Sequence, residues 1–317
     1  MSRSTPRIGV IGTGAIGGFY GLMLARAGFD VHFLLRSEYA AVASQGLRLN
    51  SQVHGQLHLQ PVAAYQDVAQ MPPCDWLLVG AKTTSNAELA PLIRQAAAPG
   101  AKVLLLQNGL GVEDVLRPLL PDSLHLLGGL CSICVHRSEP GVIEHQAFGT
   151  VNLGYHSGPA SPAERTAVAE EGAALLREAG IDGNAAPDLR QARWQKLVWN
   201  IPYNGLSVLL DSGTHGLMAQ ADSRVLLEAL MAEVIVAANA CGCPLPEGLV
   251  QVMLAATERM PDYLPSMYHD FAQGRALELE AIYARPLAAA HQAGIEMPRV
   301  DSLYRALRFI DARQRTR

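Results

Sequence analysis

Gly12-Thr-Gly14-Ala-Ile-Gly17 stands directly after a short apolar run, Arg7-Ile-Gly-Val-Ile11, and opens an Ala-, Leu- and Gly-rich run from Ala15 to Ala27 that Gly28 stops. In that setting a G-x-G-x-x-G predicts strand, tight turn and helix. The first glycine allows the turn, the second lets backbone approach a pyrophosphate, and the third lets helix pack closely on strand. The helix start adds free N–H groups and the positive end of a dipole, which together suit phosphates. Gly12, Gly14, Ala15, Ile16 and Gly17 are therefore expected to bind a dinucleotide. The competing reading is a glycine-rich turn with no ligand.

The next strand selects the dinucleotide. NAD sites place an acidic residue about 20 positions on, where it holds the ribose 2′-hydroxyl. Here that strand ends Phe33-Leu-Leu-Arg36-Ser37. The planar fork of Arg36 can pair with a 2′-phosphate, so NADP is the expected cofactor. Glu38 is the alternative, as an acidic reader if the strand ends later, and Arg36 is then an ordinary surface cation.

Further alternation follows. Asp30 to Leu35, Asp75 to Ala81 and Lys102 to Leu106 read as strands, the last two buried on both faces, with a helix over Asn86 to Ala98. Strands separated by helices imply a parallel, right-handed, doubly wound sheet. Leu47 to Pro61 alternates polar and apolar residues and predicts an inserted antiparallel ribbon. Val142 to Leu153 reads similarly after the turn Glu139-Pro140-Gly141. Pro162 to Ala179 then closes the first domain as a helix. From Asp188 onward amphipathic helical stretches follow with no convincing strand. The expected architecture is α/β: a Rossmann doubly wound sheet over residues 1–186, then an all-α domain over 187–317.

Composition excludes several classes. The 317 residues are 49% hydrophobic and 17% charged, enough apolar content for sizeable cores and too few charges for disorder. The net charge of −4 comes from interspersed signs, so a nucleic-acid surface is not expected. The basic run from Arg305 to Arg317 reads as a solvated helix end. No stretch is long and apolar enough to span a bilayer, and the strand at Arg7 leaves no room for a secretory signal. A cytoplasmic address with reduced cysteines follows as the expectation. Cys131 and Cys134 form a C-x-x-C inside a strand-like run, on opposite faces and with no helix N-terminus to activate a thiol. Cys241 and Cys243 flank Gly242 and look structural. No metal site is expected.

Residues suited to chemistry cluster at two kinds of place. Lys82 follows the strand Trp76 to Ala81, and Asn108 follows the strand Val103 to Gln107. Both are at the carboxyl ends of parallel strands, where such sheets bind ligands. Lys82 can hold an anionic group, and Asn108 can hydrogen-bond cofactor and substrate or simply make a turn with Gly109. In the second domain Trp194-Gln-Lys196-Leu-Val-Trp-Asn200 opens an apolar helix. Lys196, Asn200 and Asn204 are spaced by four and share one side of it. A lysine in apolar surroundings is rarely buried without a partner, and desolvation lowers its pKa towards a useful value for an acid. Pro202 is expected to bend this helix.

Taken together these residues resemble the ketopantoate reductases. The resemblance covers nearly the whole chain. It rests on the early G-x-G-x-x-G, Arg36, Lys82, Asn108-Gly-Leu-Gly111, Trp194-x-Lys196-Leu with Asn200 and Asn204, Ser266-Met267-x-x-Asp270, and Glu278 ahead of Gly294-Ile295-x-x-Pro298. It implies that Lys196 is the general acid that protonates a ketone oxygen during hydride delivery from NADPH. It implies that Glu278, on a second helix, holds Lys196, the substrate hydroxyl or the cofactor. Asn200, Asn204 and Ser266 would bind a 2-keto acid, and Lys82 and Asn108 would bridge cofactor and substrate. The implied activity is reduction of a 2-keto acid, with 2-dehydropantoate leading. The expected partners are that small molecule and a second copy of the chain in a homodimer.

The chain departs from the family pattern at three places. Tyr283-Ala284 stands where Asn-Gly is usual, Tyr263 where an asparagine is often found, and Pro202 precedes Asn204 rather than following it. The two tyrosines are expected to shape the pocket towards a bulkier acid. Two other readings remain open: a dehydrogenase of the 3-hydroxy acid or 6-phosphogluconate type, and a non-catalytic NADP-binding regulator. The Asn108-Gly-Leu-Gly111 and Ser266-Met267 motifs speak against the first. A regulator has no need of a Lys196–Glu278 pair.

Overall fold

The computed structural model describes residues 5–315, which divide into two compact units: residues 5–107 with 112–189, and residues 108–111 with 190–315. The first unit holds strands β1 (Arg7–Ile11), β2 (Asp30–Leu34), β3 (Leu47–Ser51), β4 (Gly55–Leu59), β5 (Ala63–Tyr65), β6 (Cys74–Val79), β7 (Ala97–Leu105), β8 (His125–Glu139), β9 (Val142–Ser157) and β10 (Gly183–Ala185). Its helices are α1 (Ala15–Arg26), α2 (Tyr39–Gln45), α3 (Asn86–Ala96), α4 (Val112–Leu116) and α5 (Arg165–Glu178). The sheet order is β4-β3-β9-β8-β7-β6-β1-β2-β5, with β10 on β9. Strands β5, β2, β1, β6, β7 and β8 pair in parallel. With the β3–β4 ribbon set aside, this is the 3-2-1-4-5-6 order of dinucleotide-binding sheets. The order reverses between β1 and β6, the point at which such sheets take their ligand.

The local sequence explains the close packing at that point. Ile8, Val10, Phe33, Trp76, Leu78 and Leu104 are buried in the core of this unit. Helix α1 lies tightly on the sheet because it presents glycines to it. A Cβ on Gly17 would sit 2.2 Å from the Gly12 carbonyl oxygen, and one on Gly21 would sit 2.4 Å from the Phe33 ring. Glycine in a helix costs about 0.5–1 kcal/mol relative to alanine, and the clash alanine would bring is the larger effect here.

Both expected ribbons are present. β3 and β4 pair antiparallel. β9 returns antiparallel along β8 and also pairs with β3 in parallel. Cys131 and Cys134 lie buried on β8, neither of them in a disulfide. An irregularity between Ser132 and Ile133 falls between them, so the simple two-face alternation does not describe them.

The second unit is helical: α6 (Leu189–Leu210), α7 (Thr214–Ala219), α8 (Ala221–Ala240), α9 (Leu249–Arg259), α10 (Ser266–Ala272), α11 (Arg285–Gln292) and α12 (Pro298–Arg315). Among the described residues no strand follows β10. A π-helical turn, Glu280–Ala284, leads into α11. Trp194, Leu197, Ile201, Tyr203, Leu227, Met231, Tyr283, Val300 and Leu307 belong to its core. α6 runs on through Pro202 without ending, although that position has no N–H to give the Val198 carbonyl. The run that begins at Arg305 lies on α12, where Arg305 pairs with Asp301 at 2.7 Å; its last two residues are outside the described ones. No helix is long and apolar enough to cross a membrane among the described residues.

Helices α2 and α4, strands β5 and β10 and the π turn are additions to the expected elements. All are short, and periodicity needs more residues than these provide.

Candidate active site

The loop after β1 is shaped by three glycines with three different duties. Gly12 adopts φ +88°, and a Cβ there would lie 2.4 Å from the Ala81 nitrogen, so this loop packs directly on the loop after β6. Gly17 admits the Gly12 carbonyl, as described. Gly14 has no atom within 4 Å of where a Cβ would stand. It caps α1 without any side-chain hydrogen bond, and no acidic residue occupies the first turn. The opening amides of a helix have no intrahelical partner. Open space over them, with a dipole end behind, is a fit for a phosphate group. The Thr13 hydroxyl donates to the Leu34 carbonyl at 3.3 Å and ties the loop to the end of β2.

Beyond β2 the two candidate readers separate. The Arg36 side chain is 87% exposed and makes one contact with an equally open Glu88, 3.4 Å away. Such a pair is weak in water and easily exchanged for another anion. Glu38 is buried; it accepts the Gly141 amide at 3.0 Å and pairs with Arg137. Its carboxylate anchors the β8–β9 turn, which corrects the alternative that made it the ribose reader. Lys82 is half-buried and begins the turn Thr83–Ser85 immediately after β6.

The second unit carries a polar stripe on α6. Lys196 is half-buried, Asn200 is 5% exposed and Asn204 is 2% exposed. The Asn200 amide nitrogen is buried without a hydrogen-bond partner. Leaving a buried donor unmade costs about 1–3 kcal/mol, so this atom points to a ligand that completes it. Ser266 is the first residue of α10, after Pro265. Glu278 is buried and precedes the helical turn that begins at Leu279. The expectation that it lies on a helix is corrected: Gly274 breaks the chain after α10 with φ +68°, residues 275–278 form no helix, and Glu278 stands just ahead of the next helical turn, its carbonyl accepting the Ile282 amide.

Tyr283 sits in the core of the helical unit. Tyr283 is fully buried, and its hydroxyl donates to the Ile201 carbonyl at 2.8 Å. The Tyr203 hydroxyl donates to the Met218 sulfur at 3.0 Å. Burial drives the Tyr283 hydroxyl well above its ordinary range and the Tyr203 hydroxyl up to about 12. Tyr283 is thus a core residue, contrary to expectation, because its hydroxyl fits beside Gly205, where a Cβ would come within 2.6 Å of it, and finds a backbone carbonyl. Tyr263 is buried too, and its backbone exchanges hydrogen bonds with Thr214. Asp270 of the Ser266 motif is bound to Arg275 at 2.9 Å.

Asn108 belongs to the helical unit, not to the sheet whose strand precedes it. The Leu110 amide donates to the Ala281 carbonyl at 2.9 Å, and the Gly109 carbonyl accepts from buried Arg193 at 3.1 Å. Arg285 donates to the Gly111 carbonyl at 3.3 Å. Gly109 adopts φ +103°, and a Cβ there would lie 2.5 Å from the Ala281 Cβ. Asn108 is therefore carried by the same body as Lys196, Asn200, Asn204, Ser266 and Glu278. Gly12, Gly14, Ala15, Ile16, Gly17, Arg36 and Lys82 belong to the other. Sequence reasoning missed Arg193 and Arg285. The available signal was a cation directly before Trp194 in an apolar run.

Comparison with known proteins follows this division. The chain matches the family described as Ketopantoate reductase PanE/ApbA over residues 8–158 and its C-terminal counterpart over residues 188–311. A 2-dehydropantoate 2-reductase of Nostoc sp. is 43% identical over 97% of this chain and 96% of its own. The crystal structure of 2-dehydropantoate 2-reductase from Geobacter metallireducens is 40% identical with a TM-score of 0.88, over 97% of this chain and 99% of that one. The corresponding structure from Methylococcus capsulatus is 35% identical with a TM-score of 0.84, over 97% of both chains.

Proposed function

The chain belongs to the ketopantoate reductase family, and from that premise we propose that it reduces 2-dehydropantoate to pantoate with NADPH. The observation that carries the reading is the α6 stripe, where half-buried Lys196 stands one turn from Asn200 and its unpartnered amide nitrogen. An ammonium beside buried amides is suited to a substrate that holds a ketone next to a carboxylate.

The α1 amides after Gly14 would take the pyrophosphate, with Gly12 and Gly17 shaping the loop and Ala15 and Ile16 offering N–H groups. Arg36 would pair with the 2′-phosphate, and this favours NADP within a family that uses nicotinamide dinucleotides. When bound, the reduced nicotinamide supplies the hydride for the carbonyl carbon. Lys196 holds the proton at Nζ and gives it to the ketone oxygen as negative charge develops there, which is where a cationic donor stabilises most. Asn200, Asn204 and Ser266 orient the substrate carboxylate and hydroxyl. Glu278 holds Lys196 or the substrate hydroxyl in place, and Lys82 and Asn108 bridge substrate and cofactor. Tyr203 and Tyr283, with hydroxyls this reluctant to ionise, do not compete as acids.

None of the five cysteines is in a disulfide, which supports a cytoplasmic address. Val225, Val236, Val252 and Phe309 are each more than half exposed on the helical unit. Assembly as a homodimer belongs to this reading, and light scattering would test it. The activity is tested by following NADPH absorbance with a panel of 2-keto and 3-keto acids. Oxidation with 2-dehydropantoate is the expected result. Oxidation only with a 3-keto acid would transfer the chain to the 3-hydroxy acid dehydrogenase reading.

A further inference from the structure

We propose that Arg193 is a positioning residue, which sets Asn108 for the reaction by holding the Gly109–Leu110 peptide group beside it. The proposal rests on the reading of Asn108 as a residue that bridges cofactor and substrate.

The geometry is specific to one peptide plane. The carbonyl of Gly109 and the amide of Leu110 are the two polar ends of a single peptide group. The first accepts from Arg193 Nη1 at 3.1 Å and the second donates to the Ala281 carbonyl at 2.9 Å. A peptide group is planar and stiff, so fixing both ends fixes its orientation. The Asn108 Cα is separated from that plane by the two dihedrals of Gly109, and those are confined by contact. With φ at +103° and a Cβ position 2.5 Å from Ala281, Gly109 is pressed on the π turn with little freedom left.

The burial of Arg193 makes the contact more than incidental. Its side chain is 2% exposed in an apolar helix, directly before fully buried Trp194. A guanidinium is costly to bury and is retained where its fixed donors meet acceptors. It lies three residues before Lys196 on α6. One helix therefore carries the group read as the proton donor and the group that fixes the asparagine loop, which keeps Asn108 in register with the general acid.

The test is a double-variant cycle on the full-length enzyme, with steady-state kinetics for NADPH and 2-dehydropantoate. Arg193→Met is expected to lower kcat by about 10–100-fold, the scale of a small misplacement of a reacting group. Asn108→Ala should lower it comparably. In the Asn108→Ala background Arg193→Met should add little, because the two residues act through one contact chain. Gly109→Ala disturbs the same peptide from its other side. It should reproduce the loss and the non-additivity, and it carries the test if Arg193→Met does not fold. Multiplicative losses in the double variants would overturn the proposal and leave the role of Asn108 standing. A fully active Asn108→Ala enzyme would instead overturn the reading beneath it.

Discussion

The Leu110 amide and the Ala281 carbonyl meet at 2.9 Å, and the second lies in the π turn Glu280–Ala284. A π turn interrupts the α-helical ladder and frees backbone for other partners, and such turns recur at functional sites. Docking here uses the backbone and Cβ of residue 281. That explains why Tyr283-Ala284, two residues on, can replace the usual Asn-Gly of the family while the asparagine loop keeps its seat. Tyr283 lies in the core beside α6 and not on the surface that receives Gly109.

Lys196→Ala is expected to cut kcat by roughly 10²–10⁴-fold, the scale of a general acid, with little change in NADPH affinity. Glu278→Ala should impair turnover and raise KM, and the double variant should lose less than the product of the two. Single-turnover kinetics beside NADPH titration would decide. Near-normal kcat in Lys196→Ala would remove it from the role of proton donor.

Arg36 faces water with Glu88 beside it, so its worth should appear when a 2′-phosphate is present. Arg36→Ala is expected to weaken NADPH binding by about 1.5–3 kcal/mol, the range for a charged hydrogen bond, and to leave NADH binding almost unchanged. Fluorescence titration of both cofactors measures this. Equal wild-type affinities for the two would sink the assignment.

Tyr283→Phe separates a core tyrosine from a pocket tyrosine. Removing the hydroxyl takes a hydrogen bond from the buried Ile201 carbonyl and should cost about 1–3 kcal/mol of stability. Denaturant unfolding would show that loss, while KM for the keto acid stays as in the wild type. A large KM change with unchanged stability would return Tyr283 to the pocket.

His145 predicts a stability that falls in mild acid. It is 1% exposed; its Nδ1 lies 2.8 Å from the Ser51 hydroxyl and its Nε2 reaches the carbonyls of Ala147 and Phe148. The Ser51 oxygen already accepts the Val53 and His54 amides, so its proton goes to Nδ1 and the ring is neutral. Burial pushes the imidazole below its ordinary value, and the neighbouring carbonyls only partly offset this. His54 is lowered as well, by burial and then by Arg26. With folded values below unfolded ones, the contribution is complete above the unfolded pKa of about 6.5 and is lost as pH falls through the folded values. Melting temperature should therefore drop between about pH 7 and pH 5, and His145→Gln should flatten that slope. An unchanged slope in the variant would rule His145 out as its source.

The parts legible in the sequence were those decided by neighbours along the chain. A strand, three glycines and a helix start are contiguous, so Gly12, Gly14 and Gly17 announce the turn, the open amides and the close approach without any tertiary knowledge. The alternation in Leu47–Ser51 and Gly55–Leu59 marks a ribbon for the same reason, since side-chain direction in a strand repeats every two residues. The spacing of Lys196, Asn200 and Asn204 defines a stripe because a helix returns to the same side every 3.6 residues.

What only the tertiary structure decided depends on contacts between distant residues. Asn108 follows a Rossmann strand in sequence, but Arg193, Ala281 and Arg285 hold its loop in the helical unit. Glu38 and Arg36 are two residues apart and equally polar, yet Gly141 and Arg137 bury one while the other stays exposed. Tyr283 stands where an asparagine is usual and so reads as a pocket residue from the sequence, whereas the Ile201 carbonyl holds it in the core. In each case backbone groups far away in the chain fix the outcome. A hydrogen bond to a main-chain atom leaves no trace in the identity of the residue that supplies it.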